Sequence, residues 1–331
     1  MHTNSYYHAL DIGPVHTEGN LILAPMAGYT DRPFRTLCLE QGANLTVTEM
    51  VSTEGVARHN DKTTRLMRRA EGEEKLAIQI FTSNLDSLER CLDQLLAAKP
   101  TIIDINCGCP VPKVIKTGAG SALMKTPEIM GSFVKFLTTH CDIPVSVKFR
   151  TGWDSEHENF LDFAKVAMDN GASLLTMHAR TRAQGYAPTA HWEKLAELAT
   201  YVHTQYAGVP VIGSGDVFTP YEAKRMIEET AVDGIMFARG VIGQPQIFRQ
   251  TREYLLHGTE PVALTAEERK DFISRQLHLM IENTNETLAC KEMRKHCCAY
   301  LKGIEGGSAI RRVLMTCETE EDYIKALESL S

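Results

Sequence analysis

Along the chain, short runs of apolar and β-branched residues alternate with longer stretches in which apolar residues recur every three or four positions. Eight runs stand out, at 21–26, 45–50, 76–81, 101–106, 145–149, 174–178, 209–213 and 234–238. Their length and near-continuous apolar character predict strands buried on both faces. The stretches between them, among them 85–96, 160–168 and 220–229, carry the helical period, with Thr219 as cap and Pro220 in the first helical position of the last. Strands alternating with helices call for a parallel sheet. A count of eight predicts closure into a (β/α)8 TIM barrel. A doubly wound open sheet is the alternative, but the Gly-x-Gly-x-x-Gly turn that such sheets usually carry does not follow the run at 21–26.

The pattern changes at both ends. Gly13-Pro14 and Gly19-Asn20 predict a short hairpin or plug under the barrel, so that residues 1–256 form one domain. Beyond Gly258 the strand runs stop, and apolar positions fall on one face of 272–281 and of 293–301. A linker at 257–263 and an all-helical domain at 263–331 follow.

Composition changes this picture little. At 331 residues, 43% hydrophobic and 23% charged, the chain can bury a large core. It has no apolar run long enough for a membrane span and no signal-peptide order at its N-terminus, so a cytoplasmic protein is expected. Nine cysteines without a regular framework suit reduced thiols, and the spacings Cys107/Cys109 and Cys297/Cys298 are not those of zinc sites, so no metal is expected. The net charge of −7 argues weakly against a protein coated in nucleic acid, but binding depends on where the charge sits.

Polar residues at the ends of apolar runs are the informative ones, because the mouth of a parallel α/β barrel lies at the C-terminal ends of its strands. Gln79, Lys148 and His178 stand at or near three such ends. A buried lysine needs an anion, either Asp104 or Glu49 within the barrel or a bound ligand. Alone, His178 suits a structural histidine; beside Gln79 and Lys148 it favours a polar ligand. Asp104-Ile105-Asn106-Cys107-Gly108-Cys109-Pro110 sets a carboxylate, an amide and two thiols where a strand turns into a loop. The turns Gly213-Ser214-Gly215-Asp216 and Ala238-Arg239-Gly240, after the last two strands, suit a phosphate site. Pro25, Met26 and Ala27 can lie flat against a planar ring. A planar cofactor bearing a phosphate, with its polar edge read by Gln79 and Lys148, is a flavin mononucleotide (FMN).

With these segments assembled, the chain resembles the flavin-dependent tRNA-dihydrouridine synthases, closest to their bacterial DusB-like branch. The likeness is carried by residues 24–31 and 104–110, by 116–124 (KTGAGSALM), 147–153 (VKFRTGW) and 177–182 (MHARTR), and in the helical region by 293–296 and 302–307. It implies a flavin barrel, a helical RNA-binding domain and NADPH-driven reduction of uridines in tRNA. By position it implies flavin contacts from Pro25, Met26, Ala27, Gln79, Lys148, His178, Ser214, Gly215, Asp216, Ala238 and Arg239. It also implies Cys109 as proton donor, with Asn106 and Arg180 lining the uracil pocket. Ser214 and Ala238 depart from the family's usual Asn and Gly, at the expected phosphate and ribityl contacts.

Reduction of the uracil C5=C6 bond takes a hydride at C6 and a proton at C5. A cysteine with an ordinary pKa of about 8.5 is mostly protonated at neutral pH, as the acid must be. A buried apolar filler is the other common role of a free cysteine, and Cys107 fits it. Loop 111–127, with Lys113, Lys116 and Lys125, reads either as a mobile lid that brings Cys109 into place and touches phosphates or as a solvated loop. Residues 291–312 hold Lys291, Arg294, Lys295, Lys302, Arg311 and Arg312 against two acids. Such a run often marks only a solvated helix face; with the family likeness it becomes an RNA strip centred on Arg294 and Lys295. Other readings are modification of ribosomal RNA, a flavin barrel acting on a small pyrimidine or enone, and an RNA-binding protein without catalysis. A monomer is expected.

Overall fold

Eight parallel strands close on themselves in the computed structural model, which describes residues 6–328. An antiparallel hairpin, β1 (Leu10–Ile12) and β2 (Val15–Thr17), precedes them. The barrel strands are β3 (Leu21–Leu23), β4 (Leu45–Val47), β6 (Leu76–Phe81), β7 (Ile102–Cys107), β8 (Val145–Arg150), β9 (Leu174–His178), β10 (Val211–Ser214) and β11 (Gly234–Phe237). Neighbours pair in chain order and β11 returns to β3, while Thr46 and Val47 pair with Leu76 and Ala77. A two-residue piece, β5 (Val51–Ser52), pairs with the end of β6. The run at 45–50 therefore yields a strand that breaks at 48–50 and resumes. Thr48 Oγ1 accepts from the Gln79 backbone N–H (3.1 Å), and Glu49 swings out to accept the Gly28 N–H (2.5 Å).

Two apolar layers result. Inside, Ile22, Leu45, Ala77, Ile102, Leu174 and Ile212 fill the lower barrel, and Leu10 and Ile12 of the hairpin cap them from below. Outside, the strands pack on helices at Leu85–Ala97, Phe160–Asp169 and Pro220–Thr230, among others. Thr219 caps the last by accepting from Glu222 N–H (3.2 Å), as the Thr-Pro pair predicts. With its lower half filled by apolar side chains, the barrel opens at the C-terminal ends of its strands.

The helix Ile247–His257 stops at Gly258 in the left-handed conformation, and Ala266–Asn283 starts from a capping box of Thr265 and Glu268. From there to residue 328 the chain is helical, with its own core of Ile273, Leu277, Met293, Cys297, Tyr300, Leu314 and Tyr323. This layer leans on the first barrel helix, Arg32–Glu40: Arg275 pairs with Glu40 (2.6 Å), and the His296 ring sits 5.3 Å from both Phe34 and Tyr29. Gly243 makes close approach possible here. A Cβ at that position would stand 2.6 Å from the Ala299 carbonyl carbon.

Candidate active site

Strand register builds the site in layers. Gln79 is level with Asp104, and Asp104 with Ser146; one layer up Asn106 is level with Lys148, and Lys148 with Thr176; above that Arg150 is level with His178, and His178 with Ser214. Because side chains two apart on a strand share a face, the polar residues of β7, β8 and β9 stack up the barrel interior toward its mouth. There they meet a cavity of about 590 Å³, lined by Asn106, Cys109, Lys148, Arg150, His178 and the turns after β3, β10 and β11. That volume suits a small-molecule or cofactor site.

Of the residues expected to hold a cofactor, Pro25, Met26, Ala27, Lys148, His178, Ser214, Gly215, Asp216, Ala238 and Arg239 all line this cavity. Gln79 does not. Fully buried below it, its amide donates to Asp104 (2.7 Å) and accepts from Asn106 Nδ2 (2.7 Å). Asn106 is thereby held with its Oδ1 toward the next loop, where it accepts from Cys109 N–H (2.9 Å) and Gly108 N–H (3.2 Å). The chain from Gln79 through Asn106 to the Cys109 backbone fixes the thiol-bearing turn. Ser121 completes it by donating to the Cys109 carbonyl (2.8 Å).

Cys109 lies in the cavity wall, 8% exposed, with Met50, Phe81, Val114 and Ala119 around it. Burial pushes its thiol above the usual range, so the group stays protonated at neutral pH. Cys107, fully buried, packs into the outer core as an inert filler. The loop after Cys109 is not solvated throughout: it winds through Pro112–Ile115 and Gly120–Lys125, burying Val114, Ala119, Leu123 and Met124. Lys113 is exposed on the first of these turns and does not line the cavity.

Neither carboxylate suggested for Lys148 pairs with it. Asp104 accepts from Gln79 and from Ser146 Oγ (2.5 Å), and Glu49 accepts from Gly28. Among the described residues Lys148 has no ion pair, and burial together with the nearby Arg150 pulls its ammonium down to about 8. Thr176 Oγ1, level with it, has no hydrogen-bond partner there either. An unpaired ammonium in a half-buried wall is costly and favours an anionic guest.

Above it the field stays positive. Arg150, missed by sequence reasoning, is buried, donates to the carbonyls of Gly108 (2.7 Å) and Thr181 (3.0 Å), and lines the cavity. Its position two residues past Lys148, on the same strand face, was the available signal. Arg180 lies behind the wall: it donates to Pro188 O (2.7 Å), Asp216 Oδ2 (2.5 Å) and His178 Nε2 (3.2 Å). A guanidinium cannot accept, so His178 is a neutral imidazole with its proton on Nδ1. Burial and the cations Arg150, Lys148, Arg180 and Arg239 hold its pKa well below the usual value. Burial works to raise Asp216, but hydrogen bonds from Arg180 and the Ala190 N–H, with Arg239 beside it, keep it ionised.

Glycines let the turns after β10 and β11 pack closely against their neighbours. At Gly240 a Cβ would meet the Val217 carbonyl at 2.2 Å; at Gly215, φ +124°, it would press on the His178 ring at 3.1 Å. Ser214 donates to Met236 O (3.2 Å), so the departure at this position is absorbed within the barrel. Tyr29, Tyr186 and Phe218 rim the opening and were not expected, since residues in connecting loops carry no periodic signal.

The match to known proteins decides the family. The family model described as dihydrouridine synthase matches residues 22–330. The chain belongs to the dihydrouridine synthase family. Among members of that family, a protein named probable tRNA-dihydrouridine synthase from Treponema pallidum is 43% identical over 312 residues, covering 92% of this chain and 91% of its own. A tRNA-dihydrouridine synthase B from Vibrio cholerae is 36% identical over 320 residues, covering 96% and 98%. Among solved structures, a 2-naphthoyl-CoA reductase in complex with 2-naphthoyl-CoA superposes with a TM-score of 0.58 at 10% identity, over 74% of this chain and 51% of that one, a likeness of fold. As a dihydrouridine synthase, the chain is an oxidoreductase. No helix among its described residues is long and apolar enough to cross a membrane.

Proposed function

We propose that the protein reduces selected uridines of tRNA to 5,6-dihydrouridine, with FMN in the barrel mouth and NADPH as reductant. The observation that carries this reading is a protonated thiol, Cys109, in the wall of the same cavity as Lys148, an ammonium with no ion pair among the described residues. The relatives named for this reaction on tRNA cover nearly the whole chain.

The residues present suit an FMN. Pro25, Met26 and Ala27 offer a flat apolar wall, Lys148 a cation for the pyrimidine edge, and Gly215, Arg239 and Gly240 a cationic, close-approach cradle for the phosphate. When bound and reduced by NADPH, the flavin supplies a hydride equivalent. Everything else falls to side chains of this protein. As C6 of uracil takes up the hydride, negative charge grows at C5 and at O4, and the Cys109 Sγ–H delivers a proton to C5. Asn106 holds the Cys109 turn at the right depth through its backbone N–H. His178, neutral with Nδ1–H, is available as a hydrogen-bond donor without adding charge.

Arg180, expected at the uracil, acts in this arrangement through His178 and Asp216. Reaching the cavity requires the target base to leave its stack, at roughly a few kcal/mol. Lys295, over the Tyr29 ring (5.4 Å) at the rim, is placed to offset that cost by contact with RNA. Arg294 is half-buried and donates to Cys317 O (3.1 Å), and so serves the helical layer. The test is to incubate purified protein and NADPH with tRNA from a strain lacking the gene, and separately with free uridine. A gain of two hydrogens at defined tRNA positions, with free uridine inert, is expected; a colourless protein, or turnover of free uridine alone, refutes the reading.

A further inference from the structure

Three segments singled out in the sequence meet at one point outside the cavity. Trp153, three residues past Arg150, carries the Lys125 ammonium 3.7 Å from its ring centroid and the Arg182 guanidinium 4.3 Å from it. Lys125 ends the turn that buries Ser121 under Cys109, and Arg182 precedes Tyr186 of the cavity rim by four residues. Backbone bonds lace these loops together: Arg182 N–H donates to Gly152 O (2.9 Å), Ala183 N–H to Trp153 O (3.0 Å), and Asn159 Nδ2 to Met124 O (2.8 Å). All three follow barrel strands, so the cluster lies on the face where the cavity opens. Trp153 is at most about 11 Å of chain from the cavity-lining Arg150.

Two cations that share one ring stand no more than about 8 Å apart, within about one Debye length at physiological salt, and repel each other. The indole face offsets part of that repulsion. No carboxylate offsets the rest: among the described residues neither cation has an ion pair, and the adjacent Asp154 is turned to His157 (2.6 Å) and to Glu156 N–H. Lys125 is exposed and Trp153 and Arg182 are half-buried, so the charge is presented to solvent.

We propose that Lys125 and Arg182, held on Trp153, bind a backbone phosphate of the RNA next to the nucleotide whose base enters the cavity. This rests on the tRNA reading above and adds a second anchor, on the barrel itself, to the contact from Lys295. A phosphodiester suits the cluster better than a dinucleotide cofactor does. The cations are side-chain groups on an open surface, as in grooves that track single strands, whereas pyrophosphates are more often cradled by backbone N–H groups of a glycine turn.

The experiment measures tRNA affinity of the flavin-loaded enzyme as a function of salt. Lys125→Ala and Arg182→Ala each weaken binding and lower the slope of log K against log salt by about 0.7 to 0.9, and the double variant loses about twice that. Lys125→Arg retains the wild-type slope. Flavin content and flavin reduction by NADPH without RNA stay as in the wild type. Unchanged slopes in variants of a wild type that binds tRNA overturn the phosphate site alone. Slower reduction by NADPH with unchanged tRNA binding overturns it in favour of a dinucleotide site. Failure of the wild type to bind tRNA overturns both this proposal and the reading beneath it.

Discussion

At the scale of single residues, the cavity brings a thiol and an ammonium together, and burial shifts their pKa values in opposite directions. In the proposed reaction Cys109 acts while protonated, and its raised pKa keeps it so beyond the usual thiol range. Replacing it by alanine is expected to leave flavin bound and reducible by NADPH while dihydrouridine formation falls by about 10²- to 10⁴-fold; full turnover by Cys109→Ala in a mass-spectrometric assay ends its role as acid. Lys148 is likewise proposed to act in its protonated form, but its pKa moves down rather than up. With its pKa lowered to about 8, the ammonium is present below that pH and lost above it. An anion at its side favours the charged form, so affinity of the apoprotein for FMN is expected to fall as pH rises through about 8, while the complex titrates higher. Flavin titrations between about pH 6 and 10 check this; an affinity flat across that range removes Lys148 from the flavin site.

Elements, in turn, are tied by contacts that no single strand or helix implies. Arg35, on the first barrel helix, is fully buried and meets Glu73 with two hydrogen bonds (2.7 and 3.1 Å). Glu73 also accepts from Thr46 Oγ1 and Ala70 N–H, both at 2.6 Å, so the pair ties that helix, β4 and the loop before β6 together. Arg35→Met strands a buried carboxylate and is expected to cost about 3–5 kcal/mol in denaturant unfolding; a loss below 1 kcal/mol means the pair carries little. Gly240 governs the last turn in a similar way. An alanine there collides with the Val217 carbonyl, so Gly240→Ala is expected to purify with less flavin than the wild type. Equal flavin content tells against this turn as part of the cradle.

For the whole molecule, the question is how a chain of net charge −7 holds a polyanion. In the reading proposed above, charge concentrated around the opening does so: Lys295 on Tyr29, Arg239 over Tyr186, and Lys125 with Arg182 on Trp153. Lys295→Ala is expected to weaken tRNA binding and flatten its salt dependence by about 0.7 to 0.9. Arg294→Ala, its neighbour in sequence, is expected to lower thermal stability through the lost Cys317 contact and to leave the salt slope alone. If the two variants exchange these effects, the helical layer binds RNA with a face other than the one nearest the cavity.

Eight apolar runs and the helical periods between them were enough to predict the barrel, because strand and helix signals are local and a parallel sheet of eight closes in few ways. The same locality made the strand ends legible, and with them Cys109, Lys148, His178 and the two glycine turns. What the one-dimensional pattern did not determine is which polar side chain reaches the cavity and which is held behind it. Gln79 against Asn106, Arg180 against Arg150, and Arg294 against Lys295 are pairs of like chemistry close in the fold or in sequence. Strand register and competition for nearby acceptors separate them: Asp104 takes Gln79, Asp216 takes Arg180, and the Cys317 carbonyl takes Arg294. Those partners are 25, 36 and 23 residues away along the chain, so only the closed barrel and its packed helices bring them together.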